Sequence, residues 1–317
     1  MSQDTTKAAG IDVAKATLEL AVHGQATRLS AANDTEGWRR IATVLKDAQV
    51  GRVGLEATGG YERGAAAALR KAGFTVVLWQ PLQTKAFARL RLRRAKNDAI
   101  DAALIAACTA ALAEPRPAPD PRLDALADSL TFVEQVEDDL VRCKTRLEHL
   151  RDARLRRLVA RDVARHERRA AAELKRIAHS LRQHPDLARR LDLVRSVPGI
   201  GERTALALLL RLPELGRVSR EEAAALAGLA PFDNDSGTRH GARRIAGGRA
   251  RLRRSLYAAA LPAAFRWNPA LKALYQRLTA RGKAHKAALV ACARKLLVYA
   301  NTVVQRGTPW EPEAQQS

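Results

Sequence analysis

The sequence predicts an α/β domain at the N-terminal end of the chain, followed by a longer and mainly helical region. Over roughly the first 113 residues, apolar segments typical of strands alternate with segments typical of helices. Residues 114–121 then contain four prolines, which exclude both a helix and a central strand and indicate a linker. From 122 to 190 the chain has a single proline and no glycine, and leucines recur every three or four residues, as in long helices.

Each element of the α/β domain has its own signal. Residues 8–22 are predicted as one strand because Leu18, Leu20 and Val22 recur at every second position. Gly73 suits the end of a helix, because glycine accepts the left-handed backbone common there. The predicted elements are strands over 8–22 and 25–32, a helix around 38–45, a strand over 50–55, a helix over 62–72, a strand over 74–79 and a helix over 98–113. Apolar strands in this order predict a mixed sheet.

The chain is predicted to have three parts, over 1–121, 122–190 and 191–317. The second part is typical of long, highly charged helices, which could form a coiled coil. Residues 141–195 hold seventeen Lys or Arg against seven acids, which fits a nucleic-acid-facing surface about as well as a solvated helix face. The third part is predicted to be helical as well, with a loop around Ser236.

The composition favours a polyanionic partner. Lys and Arg total 55 against 33 Asp and Glu, which gives a net charge of +22 and favours nucleic acid. A membrane is the weaker alternative, because no apolar run reaches the roughly 20 residues needed to span a bilayer, and the polar start of the chain predicts a cytoplasmic protein. The three separated cysteines predict buried helix residues. Aromatic residues make up only 4% of the chain, which favours contacts between arginine and phosphate over base stacking.

Four carboxylates are candidates for a metal site. Asp12 lies where the first predicted strand begins, and Glu56 lies at the C-terminal end of a later strand. Asp98 and Asp101 share one face at the start of a predicted helix. Hard divalent cations such as Mg²⁺ prefer oxygen ligands and promote phosphoryl transfer. Taken singly, each acid has an ordinary structural explanation, such as an edge-strand position or a helix N-terminus.

Basic and glycine-rich segments are candidate contacts to a phosphate backbone. A basic run precedes the Asp98 pair and would otherwise be a solvated loop; its members are Arg89, Arg91, Arg93, Arg94 and Lys96. The segment VPGIG, with Gly199 and Gly201, resembles the turn of a helix-hairpin-helix module, in which backbone N–H groups face a phosphate. A plain turn between two helices is nearly as good an interpretation.

A serine in an arginine-rich segment is a candidate nucleophile. Ser236 precedes seven arginines, and no acid lies among them; they are Arg239, Arg243, Arg244, Arg249, Arg251, Arg253 and Arg254. A serine in such a place could attack a phosphodiester while arginine neutralises the developing charge. On these residues alone, a polar loop serine beside a nucleic-acid contact patch is the better interpretation, and His240 is either a base or a surface residue.

Several longer motifs resemble one known family. GIDVAK, LEATGGYE and QPLQTKAFARLRLRRAKNDAIDA resemble the N-terminal domain of the DEDD transposases of the insertion-sequence "one-ten" family, the bridge-RNA-guided recombinases. SVPGIG, LAGLAPFDNDSG, RRIAGGRARLRRSLYAAAL and GKAHKAALVACARKLL resemble its C-terminal transposase domain. The motifs occur in the family's order and span nearly the whole chain.

The resemblance implies a fold, an activity and roles for particular residues. It implies a ribonuclease-H-like (RuvC-like) N-terminal domain, a helical coiled-coil middle and a helical C-terminal transposase domain with a helix-hairpin-helix-like segment. It assigns Mg²⁺ binding to Asp12, Glu56, Asp98 and Asp101, and the role of nucleophile to Ser236. The implied partners are donor and target DNA, an element-encoded guide RNA and further copies of the chain in a dimer or tetramer, whose subunits share composite active sites.

The predicted function is therefore Mg²⁺-dependent cleavage and rejoining of DNA through a covalent serine–DNA intermediate. The sequence departs from the family pattern in one respect, because Asp233 and Asp235 flank Ser236. A carboxylate at such a place repels the scissile phosphate unless it binds the metal ion or orients the serine hydroxyl by a hydrogen bond. Two alternatives stay open: a metal-dependent junction nuclease that uses water, and a non-catalytic nucleic-acid-binding protein.

Overall fold

A computed structural model describes residues 7–91, 98–112, 120–232 and 244–311 of the chain. It divides into two compact units, unit 1 over Met1–Ala118 and unit 2 over Pro119–Ser317. The division falls within the proline-rich segment that was predicted as a linker. Ser236, His240 and the basic residues between 92 and 97 lie outside the described residues.

Unit 1 is built around a five-stranded sheet in the order β3-β2-β1-β4-β5. Its strands are β1 (Lys7–Val13), β2 (Thr17–Val22), β3 (Arg28–Ala32), β4 (Val50–Glu56) and β5 (Thr75–Trp79). The first three are antiparallel neighbours, whereas β4 pairs parallel to β1, and β5 parallel to β4. This mixed sheet confirms the α/β prediction and is compatible with a ribonuclease-H-like domain.

The prediction of one strand over 8–22 is wrong, because the chain reverses between β1 and β2. The backbone N–H of Ala14 donates to the carbonyl of Thr17 over 2.9 Å and closes a tight turn. Val13 therefore lies opposite Leu18 in an antiparallel pair. Apolar residues alternate with a period of two in both β1 and β2, so this period alone did not reveal the short turn between them.

Helices cover both faces of the sheet of unit 1. They are α1 (Thr35–Asp47), α2 (Glu62–Lys71), α3 (Pro81–Leu90) and α4 (Asp98–Ala110). Ile11 and Leu55 belong to one core together with Ile41 of α1 and Leu69 of α2. On the opposite face, α4 packs against β1, β2 and β4. The helix α3 was not predicted; it begins at Pro81, a favoured first helical residue, with Gln80 and Gln83 forming a capping box.

The described part of unit 2 is mainly helical. Its elements are α5 (Pro121–His149), α6 (Ala153–Arg182), α7 (Pro185–Arg195), α8 (Glu202–Arg211), α9 (Arg220–Leu226), the two short strands β6 (Pro231–Phe232) and β7 (Arg244–Ile245), α10 (Ala250–Pro262), a π-helical turn (Ala263–Trp267), α11 (Pro269–Ala280) and α12 (His285–Arg306). The predicted helical character of both the middle and the last third of the chain is confirmed.

The helices α5 and α6 form an antiparallel hairpin. Lys144 of α5 lies 2.9 Å from the Glu167 carboxylate of α6, and Arg176 of α6 reaches back to Ser129 near the start of α5. The hairpin is not a separate body, because Leu130 and Ile177 lie in one core with the helices α7 to α12. A coiled coil, and separate roles for 122–190 and 191–317, stay predictions.

Helix α12 is the single helix among the described residues with the length and apolar composition of a membrane span. Leu289, Cys292 and Leu296 on this helix are fully buried within unit 2. Since most of its apolar side chains are already covered by protein, α12 has the character of a core helix. Cys108 and Cys143 are also buried, as predicted for all three cysteines.

Candidate catalytic and nucleic-acid-binding sites

Asp12 and Glu56 lie near the C-terminal ends of two neighbouring strands. The parallel pairing of β1 with β4 sets Gly10 opposite Gly54 and Ile11 opposite Leu55, so the next residues in register are Asp12 and Glu56. Both side chains are partly exposed. Because side chains two residues apart on a strand share a face, the two carboxylates point to the same face as the positions of Gly10 and Gly54.

The two glycines let α4 lie directly on the sheet. A Cβ atom at Gly10 would stand 2.1 Å from the backbone nitrogen of Ala106, and one at Gly54 would stand 2.0 Å from Oγ1 of Thr109. Nη1 of Arg52 donates to the carbonyl of Leu112 over 2.5 Å, beyond the C-terminal end of α4. Moving from Arg52 to Gly54 along β4 therefore leads toward the N-terminus of α4.

The direction of α4 brings the predicted acids to one end of the sheet. Since α4 runs opposite to β4, its first turn lies toward the strand ends that carry Asp12 and Glu56. That turn contains Asp98 and the partly exposed Asp101. Carboxylate oxygens are the hard donors that divalent cations prefer, so this end of the sheet is the candidate metal site.

The described side chains do not form a closed metal cage. Among them, no group of three His, Cys, Asp or Glu is close enough to hold an ion; the side chain of Asp98 lies outside this set. Glu56 is held from the protein side, because Oγ1 of the buried Thr84 donates to its Oε2 over 2.6 Å. The acids at this end of the sheet are therefore chemically suited to a divalent ion, and the orientation of the Glu56 carboxylate is already fixed by Thr84.

Glu62 fixes the turn that follows Glu56. Its Oε2 accepts hydrogen bonds from the backbone nitrogens of Thr58 and Gly60, at 3.0 and 2.9 Å, and from the Thr58 hydroxyl. Burial raises the pKa of Glu62, but these bonds and one from its own backbone outweigh burial and hold the pKa below its ordinary value. The sequence analysis did not single out Glu62 or Thr84, although LEATGGYE contains an acid directly after a glycine-rich turn.

The basic run before Asp98 is only partly described. Arg89 is exposed in the last turn of α3, and the guanidinium of Arg91 lies 5.1 Å from the centre of the Phe87 ring. The expectation of a loop is therefore wrong for Arg89. Arg93, Arg94 and Lys96 lie outside the described residues.

The VPGIG segment forms the turn between α7 and α8. Gly199 has φ +98°, and a Cβ there would meet Cβ of Ala263 at 2.4 Å, so both conformation and packing require glycine. Gly201 precedes the first turn of α8 and has open space around it. This geometry is compatible with a helix-hairpin-helix turn and with a plain helix–helix turn.

The described residues on either side of the Ser236 segment are held in place by pairing and close packing. The strands β6 and β7 pair antiparallel, with Pro231 opposite Ile245, and Ser236, Arg239 and Arg243 lie on the undescribed chain between them. Gly228, which precedes β6, and Gly248, which follows β7, approach each other so closely that a Cβ on Gly248 would be 2.2 Å from the nitrogen of Gly228. Nη1 of Arg253 donates to the carbonyl of Gly247 over 2.6 Å.

Several arginines of the predicted cluster have acidic partners from elsewhere in unit 2. Arg249 makes two hydrogen bonds to Glu214, at 2.7 and 2.8 Å. Arg251 donates to Glu134 over 2.7 Å and is 42% exposed, whereas Glu134 is 5% exposed. The side chain of Arg244 is outside the described set. Arg249 and Arg251 therefore stabilise the helix packing, and their contact with nucleic acid stays a prediction.

Comparisons with known proteins show which proteins this chain resembles. A DEDD family model described as "Transposase" matches residues 9–160, and a second model, described as "Transposase IS116/IS110/IS902 family", matches residues 191–276. The pilin gene-inverting protein of Moraxella bovis is 27% identical over 315 residues, which cover 95% of this chain and 97% of that protein. The insertion element IS110 43.6 kDa protein of Streptomyces coelicolor is 35% identical over 148 residues, 46% of this chain and 35% of that protein.

The two family models identify the chain as a DNA transposase, an enzyme that recombines DNA, and its α/β unit followed by a mainly helical unit is compatible with that class. The chain belongs to the IS110 family, the one-ten family of insertion-sequence transposases. Membership implies a DNA substrate and the use of a divalent metal ion. The family resemblance identified from the sequence is thereby confirmed.

Proposed function

We propose that this transposase cuts and rejoins DNA through a covalent bond to Ser236, assisted by Mg²⁺ held by Asp12, Glu56, Asp98 and Asp101. The observation that supports the metal site best is the parallel register of β1 and β4, which makes Asp12 and Glu56 neighbours. The close packing of α4 on Gly10 supports it further, because it directs the first turn of α4 to the same strand ends.

A bound Mg²⁺ would polarise a scissile phosphate and neutralise its charge. The protein's own residues prepare the site for it. Thr84 holds one oxygen of Glu56 by a 2.6 Å hydrogen bond, which restrains the carboxylate and leaves its second oxygen as a potential metal ligand. Glu62 fixes the turn directly after Glu56, so both the carboxylate and the backbone that carries it are restrained.

The reaction we propose conserves phosphodiester bonds. Oγ of Ser236 loses its proton and forms a bond to phosphorus while a DNA oxygen leaves with the electron pair of the broken P–O bond. A hydroxyl of a second DNA end then attacks the same phosphorus and displaces Oγ, which regains a proton. Because each step exchanges one P–O bond for another, neither ATP nor a ligase is required.

The proposed partners follow from charge and family. Donor and target DNA, and a guide RNA that selects the site by base pairing, fit a chain of net charge +22. The proposed contacts are Arg89 and Arg91 at the C-terminal end of α3, Gly199 and Gly201 in the VPGIG turn, and the basic Ser236 segment. We also propose a cytoplasmic homo-oligomer, a dimer or tetramer. The relative named for gene inversion fits recombination that rejoins ends.

The test is to trap the covalent intermediate. Purified protein is incubated with Mg²⁺, the flanking RNA of its element and labelled donor and target DNA, and DNA-linked protein is measured on a denaturing gel. We expect an adduct and joined product with wild type and neither with Ser236→Ala. Thr238→Val is the matched control, because it removes a second hydroxyl from the same segment and should keep both.

The same assay separates the alternatives. Cleavage without an adduct, unchanged in Ser236→Ala, would establish a nuclease that uses water. In a second comparison, Asp12→Asn should abolish cleavage, whereas Asp47→Asn, at an exposed carboxylate at the end of α1, should not. Biological activity that survives Asp12→Asn would support a non-catalytic binding protein instead.

A further inference from the structure

Two aromatic rings of unit 2 stand exposed within three residues of each other. Phe265 and Trp267 lie in the π-helical turn after α10, and 45% and 62% of their surfaces are exposed. Two large exposed rings in one short turn, unlike a single exposed ring, point to a binding surface. The low aromatic content of the chain predicted little base stacking, but it did not show that two of the few rings are exposed in one short turn.

The ring of Phe265 is held in place by its neighbours. It meets the Tyr275 ring edge-on, with 4.9 Å between centroids, and lies nearly parallel to the His285 ring at 6.5 Å. Oη of Tyr275 is hydrogen-bonded to Nδ1 of His285 over 2.7 Å, which ties α11 to the start of α12. A ring restrained in this way loses little conformational freedom when a ligand stacks on it.

Trp267 is restrained through its backbone. The next residue, Asn268, is buried, and its Nδ2 donates to the carbonyl of Pro198 over 3.1 Å while its Oδ1 accepts from the nitrogen of Leu271. The π-helical turn is therefore hydrogen-bonded through Asn268 to the VPGIG segment and to the start of α11. A shallow groove of about 480 Å³ runs beside Trp267 and is lined by Pro262, Ala259 and the VPGIG turn.

The charge around the rings has one sign. The sequence contains no Asp or Glu between residues 236 and 310. Arg266 lies between the two rings, and Lys283 and Lys286 flank His285; all three are exposed. None of the three pairs with an acid among the residues that the structure describes. A protein partner would need a complementary acidic surface, whereas nucleic acid supplies negative charge and flat rings together.

We propose that Phe265, Trp267 and the flanking cations form a binding site for unpaired nucleobases of a single strand. One or two bases stack on the exposed rings, and Arg266, Lys283 and Lys286 contact the adjoining phosphates. The inference rests on the DNA-recombining activity of the family and not on Ser236 as the nucleophile. Strand exchange creates unpaired segments in DNA, and a guide RNA has them as well, so either nucleic acid could supply the base.

Binding of short fluorescent strands to the full-length protein tests the site. The probes are oligo(dT) and oligo(rU) of about fifteen nucleotides, within the usual site size for single strands, and a DNA duplex of equal length. Anisotropy is measured at one fixed ionic strength. We expect Trp267→Ala to weaken binding of at least one single strand roughly tenfold and to leave duplex binding within about twofold. A loss with oligo(dT) alone assigns the site to DNA, and a loss with oligo(rU) alone assigns it to RNA.

Two control variants make the result specific. Trp267→Phe keeps a stacking surface and should retain most of the single-strand affinity. Phe132→Ala removes an exposed ring from α5, where Phe132 lies beneath Arg169, and should change nothing. Unchanged single-strand binding in Trp267→Ala, or an equal loss with duplex, would overturn the proposal. A change of molar mass by light scattering would identify the patch as a protein interface instead. Ser236→Ala should bind the strands normally, which separates this site from the proposed nucleophile.

Discussion

Substituting Gly10 by alanine tests whether the close packing of α4 on the sheet positions the acidic site. The added Cβ would lie 2.1 Å from the backbone nitrogen of Ala106 and 2.4 Å from the carbonyl oxygen of Ala102. Both contacts are with the backbone of α4, so no side chain can rotate away. The helix itself must withdraw from β1.

The size of the effect follows from these distances. Ordinary van der Waals contact begins at 3.4 Å, so α4 has to move by roughly 1 Å or more, and a misplacement of that size can lower a reaction rate about a hundredfold. Overpacking of this kind also costs about 1–3 kcal/mol of stability, which lowers the melting temperature of a domain of this size by at least about 4 °C.

The assay combines strand joining with the melting temperature of the protein. Gly24→Ala is the matched control, because Gly24 has φ +71° but no atom within 4 Å of an added Cβ. It should cost about 1 kcal/mol through backbone strain alone while strand joining stays normal. The reasoning is refuted if Gly10→Ala melts and joins strands like wild type, or if Gly24→Ala loses as much activity.

Two further predictions concern residues around Glu56. Thr84→Val removes the hydroxyl that holds Glu56, so strand joining should fall about tenfold, as is typical for a lost contact to a metal ligand; Thr84→Ser should restore it, and equal activity of the Val and Ser variants would contradict this role. The pKa of Glu62 is lower in the folded protein than in the unfolded chain. Its charged carboxylate therefore stabilises the fold at any pH above the pKa of the unfolded chain, and this stabilisation is lost as the pH falls through the pKa of the folded protein. Glu62→Gln should therefore unfold at a lower urea concentration than wild type at pH 7, and the difference should shrink below about pH 4; a difference that is constant with pH would disprove it.

The sequence predicted the parts of the fold in which a local pattern determines the structure. Strands β4 and β5 and helix α2 follow from apolar runs and from glycine signals such as Gly73, and they lie within two residues of their predicted positions. The break between β1 and β2 was missed because it contains neither glycine nor proline. Helix α3 was missed because a basic run was interpreted as a loop, although Pro81 marks a possible helix start.

The candidate site shows a different limit of sequence reasoning. Glu56 could be selected as an acid at the end of a strand. Asp12 was expected where the first strand begins, whereas it lies next to the last residue of β1. The adjacency of the two acids depends on β4 pairing with β1, which no local pattern specifies. The hydrogen bond from Thr84 to Glu56 joins residues 28 positions apart, so it is equally invisible along the chain. For Ser236, the family motif is the main argument, since its segment lies outside the described residues.

Ion pairing changes which positive charges of unit 2 are available to nucleic acid. Within the sequence, residues 236–256 contain arginines and no acid, yet Glu134 and Asp138 on α5, together with Glu214, pair with Arg251, Arg254 and Arg249. Because a guanidinium already paired with a carboxylate gains less from a phosphate and releases fewer counterions on binding, a count of arginines overstates the affinity of this segment for DNA. The exposed cations after α10 have no such acids nearby in sequence. The arginines that pair α10 with α5 therefore stabilise the fold, whereas the exposed Arg266, Lys283 and Lys286 stay available to nucleic acid, although a charge profile of the sequence treats both sets alike.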